Sequence, residues 1–136
     1  MSAAIALVCA SLAWMNLSSV RDMDARLALA AVVSKTDATD HEQLLLMRIA
    51  RFESAYVPRV VMCRRGTTQS GRGAFGVVAR GPSEYAGACG YTVAAATLAL
   101  ARVRESVAES VAARRAANRR CPRDPQSTSH RTATGR

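Results

Sequence analysis

Glu53 is the residue in this chain whose type and position best suit acid–base chemistry. It lies in the run Arg51-Phe52-Glu53-Ser54-Ala55-Tyr56, at the end of an apolar helical segment. A loop rich in glycine and arginine follows and contains Gly73-Ala74-Phe75-Gly76. A lone carboxyl group that faces a cleft can donate a proton to a leaving group, so this arrangement indicates a general acid.

A helical projection at about 100° per residue predicts where Glu53 lies on its helix. One broad arc contains the apolar residues Leu45, Leu46, Met47, Ile49, Ala50 and Phe52. Glu53 falls within about 20° of the middle of that arc. We therefore expect burial and the negative end of the helix dipole to favour the protonated carboxyl group. Cleavage of a glycosidic bond needs such a proton donor.

An ion pair is the alternative interpretation of Glu53. A carboxylate near a helix terminus often pairs with a nearby cation, and spacing alone favours this structural role. The candidate partners are Arg59, Arg64, Arg65 and Arg72.

The run around Glu53 resembles the Glu-Ser-x-aromatic motif of lytic transglycosylases and related lysozyme-like muramidases. In that superfamily the glutamate ends a helix, and a turn of the form Gly-aliphatic-x-Gln follows, then a long helix. Here the segment 73–79 stands in the place of the turn, and a helix predicted over 92–117 follows it. The resemblance extends over about residues 22–117, although its specific part is barely a dozen residues.

The resemblance implies a peptidoglycan-cleaving enzyme in which Glu53 is the general acid and base. Its partner would be the glycan strands, and the sugar's own 6-hydroxyl would attack to give an anhydro product. Hydrolysis would need a second carboxylate, and Glu84 is the one acidic residue between Glu53 and the last helix. The residues that the resemblance implies for substrate binding are Ser54, Phe75, Gly76, Tyr85 and Tyr91.

Two departures from the family pattern favour a second interpretation. Ala79 stands where the family has glutamine, and the family's later tyrosine-bearing helices are replaced by an arginine-rich tail. These departures are what we expect of a catalytically inactive relative that binds the cell wall. A third interpretation is a basic nucleic-acid-binding protein, but the aromatic residues are not interleaved with the basic ones as a base-stacking platform requires.

Composition predicts an all-α fold, and the resemblance implies that this fold is a small lysozyme-like helical domain with a long Gly-rich loop. The 136 residues are 49% hydrophobic and only 4% aromatic, and alanine supplies much of the apolar content. Alanine favours helix and fills little volume, so we expect closely packed helices around a thin core. The net charge of +9 favours polyanionic partners, with no preference for a specific nucleic acid.

Residues 1–20 form an apolar segment, 21–118 the helical domain, and 119–136 a basic tail that we expect to be disordered. Within the domain we predict helices over 22–33, 40–55 and 92–117. Asp40 is expected to cap the second of these helices with Gln43 in a capping box, and Pro58 to end it. Residues 60–90, with seven of the eight glycines, are predicted to be irregular, with Phe75 docked on the core.

The apolar N-terminal segment is too short to span a bilayer. It is either the apolar core of a signal peptide or a core helix, and only the first favours an extracytoplasmic location. The four cysteines form no C-x-x-C pair, so neither a metal site nor a cofactor is predicted. Cys63 and Cys89 flank the Gly-rich loop and are either a disulfide or free thiols.

Overall fold

The computed structural model describes residues 3–15, 23–64 and 71–120, and the side chains of all of these except 11–15. The described part of the chain contains six helices and a single isolated β-bridge, which confirms the all-α prediction. The helices are α1 Ala3–Met15, α2 Met23–Val33, α3 Asp40–Glu53, α4 Pro58–Val61, α5 Pro82–Gly87 and α6 Val93–Arg120.

The first three helices pack against one another, and the N-terminal segment belongs to this packing. Leu7 and Val8 of α1 are 6% and 3% exposed and join the same buried cluster as Leu29 of α2 and Leu46 of α3. The segment thus has the contacts of a core helix in this structure. None of the described helices combines the length and the apolar character that crossing a membrane requires.

The N-cap of α3 lies one residue earlier than the sequence predicts. Thr39 is the N-cap, and its hydroxyl accepts a hydrogen bond from the Glu42 amide at 3.2 Å. The Glu42 carboxylate in turn accepts one from the Thr39 amide at 3.0 Å. The prediction of Asp40 and Gln43 as the capping box is wrong, because Thr-x-x-Glu offers the same reciprocal bonds one residue upstream.

The buried face of α3 is also rotated from the predicted one. Leu46, Met47 and Ala50 are fully buried, whereas Phe52 is 75% exposed and lies with its ring centroid 5.8 Å from the Arg48 guanidinium carbon. At 100° per residue, Glu53 is about 65° from the mean direction of these three buried residues. The expected core position of Glu53 is therefore wrong, and the residue is exposed.

Alanine supplies much of the core, as its abundance predicts. In α6 the packed face is formed by Ala95, Ala96, Ala99 and Leu100. Valines farther along this helix are solvent-exposed, with Val107 56% and Val111 42% exposed. Alanines occupy the buried face of α6 because their small side chains let the helix approach its neighbours closely.

The chain divides into two compact units, Met1–Val103 and Arg104–Arg136. The described part of the second unit, through Arg120, is the continuation of α6. The rest of the predicted basic tail lies outside the described residues.

The region predicted to be irregular, residues 60–90, contains short helices. Pro58 begins α4 and Pro82 begins α5, so each proline occupies a first-turn position where its missing N–H costs nothing. Pro58 does not end the preceding helix, because α3 already ends at Glu53. Between α4 and α5, Arg72 and Val77 pair across a tight turn, with amide-to-carbonyl distances of 3.1 and 3.0 Å.

Candidate functional site

Ser54 shapes the end of the helix that carries Glu53. It is the C-cap of α3 and is 4% exposed. Its hydroxyl donates to the Ala50 carbonyl at 2.9 Å and accepts from the Tyr56 amide at 3.3 Å. Both bonds are internal, so Ser54 supports Glu53 through the backbone, and its hydroxyl does not face a ligand-accessible surface.

The chain reverses direction immediately after Ser54 through two residues in the left-handed region. Ala55 and Tyr56 have φ values of 48° and 60°. Residues other than glycine rarely adopt this backbone conformation. It costs on the order of 1–3 kcal/mol per residue and persists only where surrounding contacts hold it. The turn therefore needs an anchor.

Tyr56 is that anchor. It is 1% exposed, and its hydroxyl donates to the Met47 carbonyl of α3 at 2.9 Å. The guanidinium carbon of Arg26 lies 5.0 Å from its ring centroid, within cation–π range. Burial raises the pKa of the Tyr56 phenol, which keeps the hydroxyl a hydrogen-bond donor. Tyr56 thus ties the turn back to the helix that ends at Glu53.

Gly76 brings the second half of the sequence motif against Glu53. A Cβ added to Gly76 would lie 2.7 Å from Cδ and 2.9 Å from Cγ of Glu53, and closer still to Oε2. Gly76 also has a φ of 59°. Two independent requirements, backbone conformation and space for the carboxylate, therefore make glycine the residue that fits here.

Glu53 is exposed, and none of the other described residues forms a hydrogen bond or ion pair with it. Among the four arginines predicted as partners, Arg72 is engaged elsewhere and Arg65 lies outside the described residues. Neither Arg59 nor Arg64 pairs with Glu53. The ion-pair interpretation is thus unsupported in the described part of the chain.

The glycine turn docks through its apolar residues. Ala74 is fully buried and Phe75 is 5% exposed, which confirms that this part of the loop packs on the core. Gly73 has a φ of 68°, and a Cβ on it would lie 2.9 Å from the Ala88 carbonyl carbon. Phe75 therefore contributes packing, and Gly76 is the residue of this turn that lies against Glu53.

Arg72 links the turn to α5. It is 8% exposed, and its Nε donates to the Tyr85 carbonyl at 3.0 Å. Its guanidinium carbon lies 3.3 Å from the Tyr85 ring centroid, a stacked cation–π arrangement. Its second amino group lies 3.4 Å from Sγ of Cys89. Arg72 therefore joins the turn, Tyr85 and Cys89.

Cys63 and Cys89 form a disulfide, with a Cα–Cα distance of 5.6 Å. Beside it, the Gly90 amide donates to the Val61 carbonyl of α4 at 2.7 Å. The sequence left open whether these two cysteines form a disulfide or are free thiols, and the structure shows the disulfide. Cys9 is a free, exposed cysteine.

The carboxylate of Glu84 is held by hydrogen bonds within the fold. It accepts hydrogen bonds from the Arg80 amide at 2.8 Å and from the Arg102 guanidinium at 2.5 Å. These donors, the Arg80 amide first, lower the pKa of Glu84 below its ordinary value. A carboxylate held ionised in this way is unsuited to act as a proton donor.

An open pocket of about 450 Å³ lies beside the glycine turn. It is lined by Ala79, Gly81, Pro82 and Tyr85, and Tyr85 is 42% exposed. Of the two tyrosines that the resemblance implies for substrate binding, Tyr85 therefore lines the pocket. Tyr91 is half-buried and packs against the hydrophobic core. Within the described residues no cluster of three or more potential metal ligands occurs.

Sequence reasoning missed Tyr56, Arg26 and Arg72 as supporting residues of the site. Tyr56 belongs to the motif. Its aromatic side chain, two residues before Pro58, was the feature of the sequence that could have indicated an anchoring role. Arg26 is 4% exposed in α2, and nothing local predicts its position over Tyr56.

No protein-family model, curated protein or solved structure matches this chain. The site must therefore be interpreted from its own geometry.

Proposed function

We propose that this protein cleaves the glycan strands of peptidoglycan, with Glu53 as general acid and then general base. The observation that carries the proposal is the position of Glu53. Its carboxylate is exposed, lies against Gly76 and has no partner among the described residues. This juxtaposition of the helix end with the glycine turn is what the sequence resemblance implies.

One carboxyl group suffices for this chemistry. Protonated Glu53 donates its proton to the glycosidic oxygen as the bond from that oxygen to C1 breaks. The resulting carboxylate then removes the proton from the sugar's 6-hydroxyl as that oxygen attacks C1. The products are a shortened strand and a 1,6-anhydro sugar end, and Glu53 is protonated again.

The environment of Glu84 favours this scheme over two-carboxylate hydrolysis. A hydrolase needs a second free carboxylate to activate water or to attack the sugar. Glu84 is ion-paired with Arg102, with its oxygen also bound to the Arg80 amide. We therefore propose a lytic transglycosylase reaction instead of a hydrolytic one.

Two further features support a wall substrate. Tyr85 presents an exposed ring in the pocket beside the turn, where a sugar ring can stack. The net charge of +9 attracts anionic wall polymers. The Cys63–Cys89 disulfide suits an extracytoplasmic location, where such bonds persist.

The test is digestion of purified sacculi by the wild-type protein and by Glu53→Gln, with mass analysis of the released fragments. We expect wild-type protein to release 1,6-anhydro fragments and Glu53→Gln to release none above background. Reducing-end products would instead identify a hydrolase. Absence of any product from folded wild-type protein over a broad pH range would contradict cleavage.

A second candidate function is wall binding without cleavage. Ala79 lines the pocket beside the turn, where the resemblance leads us to expect a glutamine amide. A pocket that lacks this amide could bind a strand without orienting it for reaction. Co-sedimentation with insoluble peptidoglycan, unaffected by Glu53→Gln and without fragment release, would support this candidate.

A further inference from the structure

The Glu53 site has two sides, and each is attached to a different backbone segment. Glu53 ends α3, and Tyr56 ties the following turn to Met47 of the same helix. Gly76 lies on the opposite side, in the turn closed by the Arg72–Val77 pair. No described hydrogen bond joins Glu53 to this turn, so other contacts must hold the two sides together.

The glycine turn is held by the segment 85–90. Gly73 lies against the Ala88 carbonyl group so closely that a Cβ could not be inserted. Arg72 donates to the Tyr85 carbonyl at 3.0 Å and stacks on its ring. A displacement of this segment would therefore move the turn, and Gly76 with it.

The segment 85–90 is in turn attached to the Glu53 side. The Cys63–Cys89 disulfide joins it covalently to the residues that follow α4. The Gly90 amide adds a hydrogen bond of 2.7 Å to Val61 of α4. Since α4 begins directly after the turn anchored by Tyr56, the contacts form a closed ring: Glu53, Tyr56, α4, Cys63–Cys89, Gly73 and back to Gly76.

We propose that the Cys63–Cys89 disulfide is a positioning element of the Glu53 site, which is assembled when the disulfide is formed and opens when it is reduced. The inference extends the proposed function, because it makes cleavage dependent on an oxidising environment. Its geometric part, that the disulfide sets the position of the glycine turn, is independent of any activity.

The switching reaction is thiol–disulfide exchange with a dithiol reductant. Two thiolates of the reductant attack in succession, the Cys63–Cys89 bond breaks, and each protein sulfur ends as a protonated thiol. The two electrons come from the reductant, which becomes a cyclic disulfide. The packing of Ala74 and Phe75 on the core and the hydrogen bond between Gly90 and Val61 then remain, without a covalent link between the segment 85–90 and the residues after α4.

The experiment uses a full-length variant with Cys9→Ser and Cys121→Ser, so that Cys63 and Cys89 are its only cysteines. This variant is measured in its oxidised form, after reduction with dithiothreitol, and after reoxidation. A second variant, which also carries Cys63→Ser and Cys89→Ser, is measured beside it. Amide hydrogen exchange is followed at Arg72 and Val77, whose N–H groups close the turn, and at buried residues of α2 and α3. Circular dichroism monitors the helices, and sacculus digestion the activity.

We expect reduction to abolish the exchange protection of Arg72 and Val77 and to lower the cleavage rate about a hundred-fold, the scale of a misplacement near 1 Å. Protection in α2 and α3 should persist, and reoxidation should restore both signals. The double serine variant should behave like the reduced protein even in the absence of reductant.

Two results would overturn the proposal: unchanged protection at Arg72 and Val77 after reduction, or loss of protection throughout the chain. The first would mean that the turn holds itself in place, and the second that the disulfide only stabilises the whole fold. If the oxidised protein shows no cleavage, the proposed function fails, but the exchange data still decide the positioning role.

Discussion

Glu53 and Glu84 are two carboxylates near the same glycine-rich region, and their surroundings differ in every relevant respect. Glu84 accepts hydrogen bonds from the Arg80 amide and the Arg102 guanidinium. Glu53 has no such donor among the described residues, and its carboxylate lies against the backbone of Gly76. One carboxylate is thus engaged in holding the fold, and the other has no polar partner in the described part of the chain.

The helix ends explain part of this difference. Glu84 lies in the first turn of α5, where free amide groups and the helix dipole favour a negative charge. Glu53 is the last residue of α3, where the free backbone groups of the helix are carbonyls, which donate no hydrogen bond. The comparison teaches that position on a helix, together with nearby arginines, separates a structural carboxylate from a candidate proton donor.

The largest expected effect comes from replacing each carboxylate by its amide. Glu53→Gln should lower cleavage of sacculi by about a hundred-fold or more, the usual contribution of a general acid. Glu84→Gln should retain most of the activity, since its partners Arg80 and Arg102 act on the fold. Initial rates of fragment release measure both. Equal losses in the two variants would remove the distinction between these residues.

A smaller effect is expected when the contact partner of Glu53 is changed. In Gly76→Ala the new Cβ would occupy the space of the carboxylate, and a φ of 59° would strain alanine. We expect activity to fall by about ten- to a hundred-fold and stability by about 1–2 kcal/mol.

Gly87→Ala is the matched control, because a Cβ added at Gly87 would meet no atom of a more distant residue within 4 Å. Its activity should equal that of the wild type, and alanine should slightly favour the short helix α5. Rates and chemical denaturation measure both variants. Full activity in Gly76→Ala would show that Glu53 does not need its observed position.

Tyr56→Phe tests the anchor on the Glu53 side. It removes the 2.9 Å hydrogen bond to the Met47 carbonyl and keeps the buried ring. The free energy of unfolding should fall by about 1 kcal/mol. Tyr85→Phe alters an exposed residue that interacts with Arg72 through its ring and carbonyl, so it should change stability by less than about 0.5 kcal/mol. Urea denaturation separates these outcomes, and equal changes would contradict the anchor.

The smallest expected effect concerns pH and Glu84. The pKa of Glu84 is lowered in the folded state. Its interactions therefore stabilise the fold fully above the ordinary pKa of 4.5, and this stabilisation is lost as the pH falls through the folded pKa. The stability difference between wild type and Glu84→Gln should therefore be constant near neutral pH and shrink under acidic conditions. Urea denaturation at a series of pH values measures this. A difference that does not change with pH would contradict the assignment.

Much of the local structure could be predicted from the sequence. The predicted helix over 22–33 agrees with α2 to within one residue, and α6 begins one residue after its predicted start. Phe75 docks on the core as expected from its position in an otherwise polar loop. These features depend on periodicity and on capping residues a few positions away, so a local pattern suffices.

The environment of the candidate site was not predictable from the sequence. The motif identified Glu53 and Gly76, and the structure brings them into contact. The predicted burial of Glu53 failed because a projection identifies apolar residues but not the arc that neighbouring helices cover. Tyr56 and Arg26, which support the site, meet only through packing of α2 against the turn.

The sequence by itself determined an all-α chain, the positions of its main helices, and a carboxylate followed by a glycine turn. Only the tertiary structure decided that Glu53 is exposed, that alanines form the packed face of α6, and that Cys63 pairs with Cys89. The physical reason is range. Helix formation and capping involve neighbours in sequence, whereas burial, disulfide pairing and the contact of Glu53 with Gly76 depend on segments that meet only when the core assembles.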